Sequence, residues 1–150
     1  MKSKRFEPIH EIAANSATAL ARAMAEAERR VVELERQMDQ LRNYRDEYAR
    51  NSARSGGAID AVSLQNYRAF LDRLGEALRQ HAQNLGAARA DYEARRSQWS
   101  AKRIEAESLS RAIERFRVEE RGAADRREQR DGDEAAMRLA LVGRGHAESY

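Results

Sequence analysis

The chain has 150 residues, of which 35% are charged and only 6% are aromatic, and its formal net charge is +3. So few large apolar side chains leave little material for a compact globular core. Because the sequence contains no cysteine, it also excludes a disulfide framework and a thiolate metal site.

The first predicted helix covers residues 7–50. Pro8 suits the first turn of a helix, where its missing N–H costs no hydrogen bond, so we expect the helix to begin near Glu7. Apolar residues then recur mostly three and four apart, at Ile9, Ala13, Leu20, Met24, Ala27, Val31, Leu34, Met38, Leu41 and Tyr48. This spacing predicts one apolar stripe along the helix.

A loop is predicted at residues 51–62. The segment 51–57, Asn-Ser-Ala-Arg-Ser-Gly-Gly, combines turn formers with two glycines that a helix interior disfavours. Either Ser63 or Asp60 is suited to accept a hydrogen bond from a free N–H of the following helix and so to act as its N-cap.

The second predicted helix covers residues 63–130 and carries the strongest pattern in the chain. From Leu64 to Ala123, eighteen positions alternate between steps of three and four, and we call this set the seam. Fourteen of the eighteen are apolar or aromatic: Leu64, Tyr67, Leu71, Leu74, Leu78, Leu85, Ala88, Tyr92, Trp99, Ala106, Leu109, Ile113, Phe116 and Ala123. An average step of 3.5 residues predicts a left-handed coiled coil.

Together these elements predict an all-α fold, an elongated antiparallel two-helix coiled-coil hairpin over residues 1–138, with a frayed, flexible tail at 139–150. If the chain folds back at Gly56, facing residues have numbers that sum to about 112. Phe6 would then lie near Ala106, and Leu109, Ile113 and Phe116, here called the Phe116 stripe, would extend beyond the first helix. An unpaired apolar stripe indicates a protein-binding surface, a shifted register or self-association.

A second stripe consists of Phe70, Leu74, Ala77 and His81, which share one helix face and are here called the Phe70 stripe. Phe70 and Ala77 lie off the seam. The stripe is therefore either part of a wide core near the turn or an outward patch that binds another protein with Phe70 as its anchor.

No residue pattern predicts catalysis, a cofactor site or a metal site. His10-Glu11 begins the His-Glu-x-x-His zinc pattern, but Ala14 occupies the place of the second histidine. No glycine-rich phosphate loop occurs either. No apolar run approaches the roughly 20 residues of a transmembrane helix, and the start lacks a signal peptide, so we expect a cytoplasmic protein that is not an enzyme.

Three segments go beyond generic coiled-coil sequence: Arg-Phe-Glu-Pro-Ile at 5–9, the tyrosine-rich segment 40–48, and Asn-Tyr-Arg-Ala-Phe-Leu at 66–71 with Leu74, Ala77, Gln80 and His81. With Glu-Gln-Arg at 128–130 and Ala-Ala-Met-Arg at 135–138, they resemble the FliJ family of flagellar type III export proteins.

The resemblance implies a coiled coil similar to the central stalk of rotary ATPases. It implies association with the export ATPase ring, with the cytoplasmic part of the export gate membrane protein, and with export chaperones, at the inner membrane through these partners. The Phe70 stripe would contact the gate protein, and the terminal end with the Phe116 stripe would face the ATPase or a chaperone.

Two other functions are compatible with the sequence. Twenty-five of the 28 basic residues are arginine, which suits phosphates, so a nucleic-acid-binding coiled coil is one alternative. However, arginine and glutamate are interleaved without a basic block, and we expect no nucleic-acid partner. A self-assembling scaffold protein is the other alternative.

Overall fold

The computed structural model describes residues 1–54 and 60–147. Two helices account for nearly all of these residues, α1 at Lys2–Arg54 and α2 at Ala61–Ala147. No strand occurs within the described ranges. The two helices pack against each other, which confirms the predicted all-α helical hairpin. Gly56 and Gly57, on which the predicted turn was centred, lie outside the described residues.

Contacts divide the chain into two units, and in each of them α1 packs against α2. The central unit is Ser16–Lys102, and its buried core is Leu34, Met38, Leu85 and Ala88 with Val31 and Leu78 against it. The terminal unit combines Met1–Asn15 with Arg103–Tyr150. Its buried apolar residues include Ala13, Ala106 and Ile113.

The seam governs which side chains of α2 are buried. Of the eighteen positions predicted from the 3.5-residue spacing, all except Leu64 are buried or half-buried. Leu64, in the first turn of α2, is 38% exposed. The pattern therefore identifies the packed face of this helix from Tyr67 to Ala123, as expected when one narrow stripe contacts a partner helix.

The start of α1 differs from the prediction. The helix begins at Lys2 instead of near Glu7, so Pro8 lies inside it. Its first turn contains no acidic residue of its own. The start of the helix is instead anchored by α2, through contacts from Ser3, Phe6 and Glu7. Tertiary contacts therefore extend the helix past the point where local sequence favours its start.

The ends of α2 also differ from the predicted bounds of 63 and 130. At its start, Asp60 is the N-cap, because its Oδ1 accepts a hydrogen bond from the Ser63 N–H at 2.7 Å. At the other end the helix continues to Ala147, through most of the segment expected to be a tail. Residues 134–142 are rich in alanine, leucine and other strong helix formers, and this composition favours the continuation.

The predicted register, with a sum of 112, is wrong. The sum of the two residue numbers is 123 for Ser3 with Glu120 and 122 for Phe6 with Phe116 in the terminal unit. In the central unit it is 124 for Glu35 with Arg89, and nearer the turn it is 114 for Tyr44 with Phe70 and 118 for Tyr48 with Phe70. The prediction assumed that the turn is centred on Gly56, whereas side-chain packing and polar pairing between the helices decide the alignment.

We expect Leu85→Ala to lower the free energy of unfolding by about 2 kcal/mol or more, because it removes a buried side chain from the central core. Urea denaturation followed by circular dichroism measures this loss. Val32 is 58% exposed in the same unit, and Val32→Ala should change the free energy of unfolding by less than about 0.5 kcal/mol. Equal losses for both variants would contradict the assignment of the core.

Candidate interaction surfaces

The Phe70 stripe faces α1. The Phe70 ring lies 4.2 Å from the Tyr48 ring and 5.8 Å from the Tyr44 ring, measured between centroids. Leu74 is buried, and Phe70, Ala77 and His81 are half-buried. Of the two interpretations left open by the sequence, these contacts support a wide core near the turn. The predicted role of the stripe in binding another protein stays a prediction. Aromatic rings from both helices need this extra width.

The central unit has a shallow depression of about 430 Å³ beside His81. It is lined by Gln37, Gln40, Leu41 and Tyr44 of α1 together with His81 of α2. The His81 Nδ1 atom is buried and has no hydrogen-bond partner among the described residues. Tyr44 is 53% exposed at the rim.

The sequence did not predict that α1 residues take part in the surface beside Phe70 and His81. The tyrosine-rich segment 40–48 carried the resemblance, but no binding role was predicted for it. Tyr44 and Tyr48 both contact Phe70, and Tyr48 also stacks on Tyr67 with ring centroids 5.4 Å apart. The signal was the clustering of aromatic residues on both sides of the predicted turn.

The Phe116 stripe packs against α1 and does not extend beyond it. Ile113 is only 4% exposed, Leu109 and Phe116 are half-buried, and the Phe116 ring stacks on Phe6 with centroids 5.4 Å apart. The expected overhang at these positions is therefore wrong, because the register brings the start of α1 alongside them. Their predicted role in protein binding stays a prediction.

A pair of hydrogen bonds from Ser3 to Glu120 joins the start of α1 to α2. The Ser3 backbone N–H donates to Glu120 Oε1 at 3.1 Å, and the Ser3 hydroxyl donates to Oε2 at 2.6 Å. Ser3 is 4% exposed. The first N–H groups of a helix lack partners within it and attract negative charge. Glu120 therefore caps α1 from the neighbouring helix.

These hydrogen bonds hold the pKa of the Glu120 carboxyl below its usual value, the Ser3 hydroxyl contributing most and the Ser3 backbone N–H next. One turn away, an Arg117 guanidinium donates to Glu7 Oε1 at 2.8 Å. This hydrogen bond raises the pKa of Arg117. The two contacts therefore favour the charged forms of Glu120 and Arg117.

Beyond this point α2 is exposed on all sides. Every residue from Ala124 to Gly145 is exposed. This exposed part of α2 includes four large apolar side chains that are each at least 62% exposed: Met137, Leu139, Leu141 and Val142. Exposed apolar residues gathered in one short segment indicate an interaction surface more strongly than the same residues scattered singly.

The described part of the chain contains neither a metal-binding cluster nor a membrane-spanning helix. Residues 1–54 and 60–147 hold no group of three or more histidine, aspartate or glutamate side chains placed to bind a metal ion. Over the same residues, no helix is long and apolar enough to cross a membrane.

The fold and contacts define the class of this protein as a coiled-coil helical hairpin with its helices paired in antiparallel register. The family model described as flagellar FliJ protein matches residues 1–145. The chain therefore belongs to the FliJ family and is a flagellar export-related protein. Neither a curated protein nor a solved structure matched the chain.

We expect Glu120→Gln to lower the melting temperature at pH 7, with a difference from the wild type that shrinks as the pH falls. A carboxyl whose pKa is lowered by folding stabilises the fold at pH values above its usual pKa of 4.5. This stabilisation is lost as the pH falls through the lowered pKa. Thermal melts from pH 7 to pH 3 measure the difference.

Glu119→Gln is the matched control, because it makes the same chemical change at the neighbouring, exposed position. Its melting temperature should stay close to that of the wild type throughout the pH range. If the two variants respond to pH in the same way, the cap from Glu120 does not stabilise the fold.

Proposed function

We propose that this protein is a non-enzymatic component of the flagellar type III export apparatus. In this proposal it associates with the export ATPase ring and with the cytoplasmic part of the export gate membrane protein, and it also binds export chaperones. It would work in the cytoplasm, at the inner membrane through these partners. The match of the family over residues 1–145 carries the proposal, because it includes both candidate surfaces.

The gate protein would bind at the Phe70 stripe and at the α1 residues beside it. Phe70 and His81 are half-buried, so part of each side chain is accessible without opening the hairpin. Tyr44 adds an exposed aromatic ring next to Phe70. Leu74 is buried and would support the surface from beneath. Aromatic side chains in such positions supply much of the energy of protein contacts.

The ATPase ring or a chaperone would bind at the terminal unit. Leu109, Ile113 and Phe116 stay part of this proposal, but their packing against α1 leaves only the half-buried Leu109 and Phe116 partly accessible. The freely accessible apolar surface is the end of α2, with Met137 and Leu141 one turn apart. A helix end that is apolar on several sides suits a partner that surrounds it.

Among the residues that the structure describes, no specific contact favours nucleic-acid binding as a second function. Several surface arginines are already paired with carboxylates, including Arg36 with Glu33, Arg79 with Glu76 and Arg95 with Asp91. Such pairs reduce the positive charge that a phosphate backbone would meet.

If the Phe70 stripe contacts the gate protein, Phe70→Ala and His81→Ala should each weaken binding to its purified cytoplasmic part by about tenfold, the effect of losing a contact of about 1.4 kcal/mol. Isothermal titration calorimetry measures the dissociation constants, and circular dichroism at the same temperature verifies that each variant is folded.

Phe70 also packs against α1, so a stability effect has to be separated from a contact effect. Leu85→Ala provides this control, because Leu85 is a buried residue of the same unit outside the stripe. It should destabilise the fold and leave gate binding unchanged. If all three variants lose affinity in proportion to their stability, the stripe belongs to the core alone.

For the terminal end, we expect the double variant Met137→Ser with Leu141→Ser to weaken binding to the purified export ATPase by about tenfold or more. Both side chains are more than 65% exposed, so the change should not affect folding. Val118→Ser is the control, since Val118 is 54% exposed on the same helix. Unchanged binding in a sedimentation assay with the double variant would place the ATPase contact elsewhere.

A further inference from the structure

The first two turns of α1 are held to α2 by three side chains. Within residues 2–7, here called the strap, Ser3 bonds to Glu120, Phe6 stacks on Phe116, and Glu7 pairs with Arg117 at 2.8 Å. The Lys2 Nζ atom also lies 5.8 Å from the centre of the Phe116 ring. The strap therefore covers the half-buried Phe116 and the Glu120 carboxylate.

Pro8 separates the strap from the rest of α1. Proline has no N–H, so the hydrogen bond that residue 8 would donate to the Lys4 carbonyl is missing inside this helix. The ring of Pro8 also disfavours the helical conformation at Glu7, the residue before it. The helix is thus weakest at the boundary of the segment that Ser3, Phe6 and Glu7 hold in place.

Opening at this boundary would change the surface of α2. Phe116 and Ala123 are both half-buried, and both line a shallow depression next to Met1 and Lys2. Without the strap, they would join the exposed length of α2 that begins at Ala124. The accessible apolar surface of the terminal end would then extend back by about two helical turns.

We propose that residues 2–7 are a releasable strap, with Pro8 as its joint and Glu120 as its latch, which competes with the export ATPase for Phe116 and Ala123. The existence of the strap rests on the contacts in this chain, whereas its effect on partner binding rests on the proposed function. The strap is held against α2 mainly by the hydrogen bonds from Ser3 to Glu120. The other two contacts are a ring pair and an exposed ion pair, and each stabilises the closed strap less than these hydrogen bonds do.

The first test is amide hydrogen exchange on the full chain, resolved by residue with solution NMR. The amides of Phe6 and Glu7 should exchange at least about tenfold faster than that of the buried Ala13 beyond the joint. Glu120→Ala should accelerate Phe6 and Glu7 by about a further tenfold, the factor for losing hydrogen bonds to a charged group, and leave Ala13 unchanged. Pro8→Ala should slow Phe6 and Glu7.

Glu119→Ala, at an exposed neighbouring position, is the control and should exchange as the wild type does. Equal acceleration of Phe6 and Ala13 in Glu120→Ala would overturn the strap, because the whole unit would then open together. No change in Pro8→Ala would overturn the joint. Ser3→Ala, which removes one of the two hydrogen bonds, is a milder test of the latch if Glu120→Ala does not fold.

The second test measures binding of the same variants to the purified export ATPase. Glu120→Ala should bind several-fold more tightly than the wild type and Pro8→Ala more weakly, with Glu119→Ala unchanged. Equal affinity of all variants would overturn the competition. If the wild type itself does not bind, the proposed function fails at this end, and the exchange rates still decide whether the strap exists.

Discussion

The packing of two helices along one apolar seam is the constraint on which the rest of this structure depends. A step that averages 3.5 residues keeps the same face of α2 against α1, and every seam position from Tyr67 to Ala123 is buried or half-buried. The buried residues are few and mostly aliphatic, and four of them are alanines. Such a narrow core leaves most of each helix surface free, so the chain offers long surfaces instead of an enclosed pocket.

Apolar stripes of regular spacing pack almost equally well in several alignments, and residues that break the regularity select one of them. In the terminal unit, Ser3 with Glu120 places a polar pair at the end of the seam, where any shift would leave a buried hydroxyl and a helix terminus without partners. In the central unit, the rings of Tyr48, Phe70 and Tyr67 pack together between the two helices near the turn. These contacts fix the register of their own units.

The two candidate surfaces differ in how accessible they are. Beside Phe70, half-buried rings and the exposed Tyr44 form a surface contributed by both helices. At the terminal end, the Phe116 stripe is covered by α1, and the accessible apolar residues belong to the single helix beyond Ala124. A partner that binds the first surface meets a packed helix pair, whereas one that binds the second can surround a lone helix.

The sequence alone determined the all-α hairpin, the seam and the family, because helical periodicity and short segments such as 66–71 are local patterns that do not depend on alignment between distant residues. The tertiary structure decided the register, the helical start at Lys2, and the direction in which Phe70 and Phe116 face. Sequence reasoning missed these because it aligned the two helices from an assumed turn at Gly56 and not from the side-chain contacts between them. Contacts such as Ser3 with Glu120, 117 residues apart in the chain, exist only once the two helices are aligned.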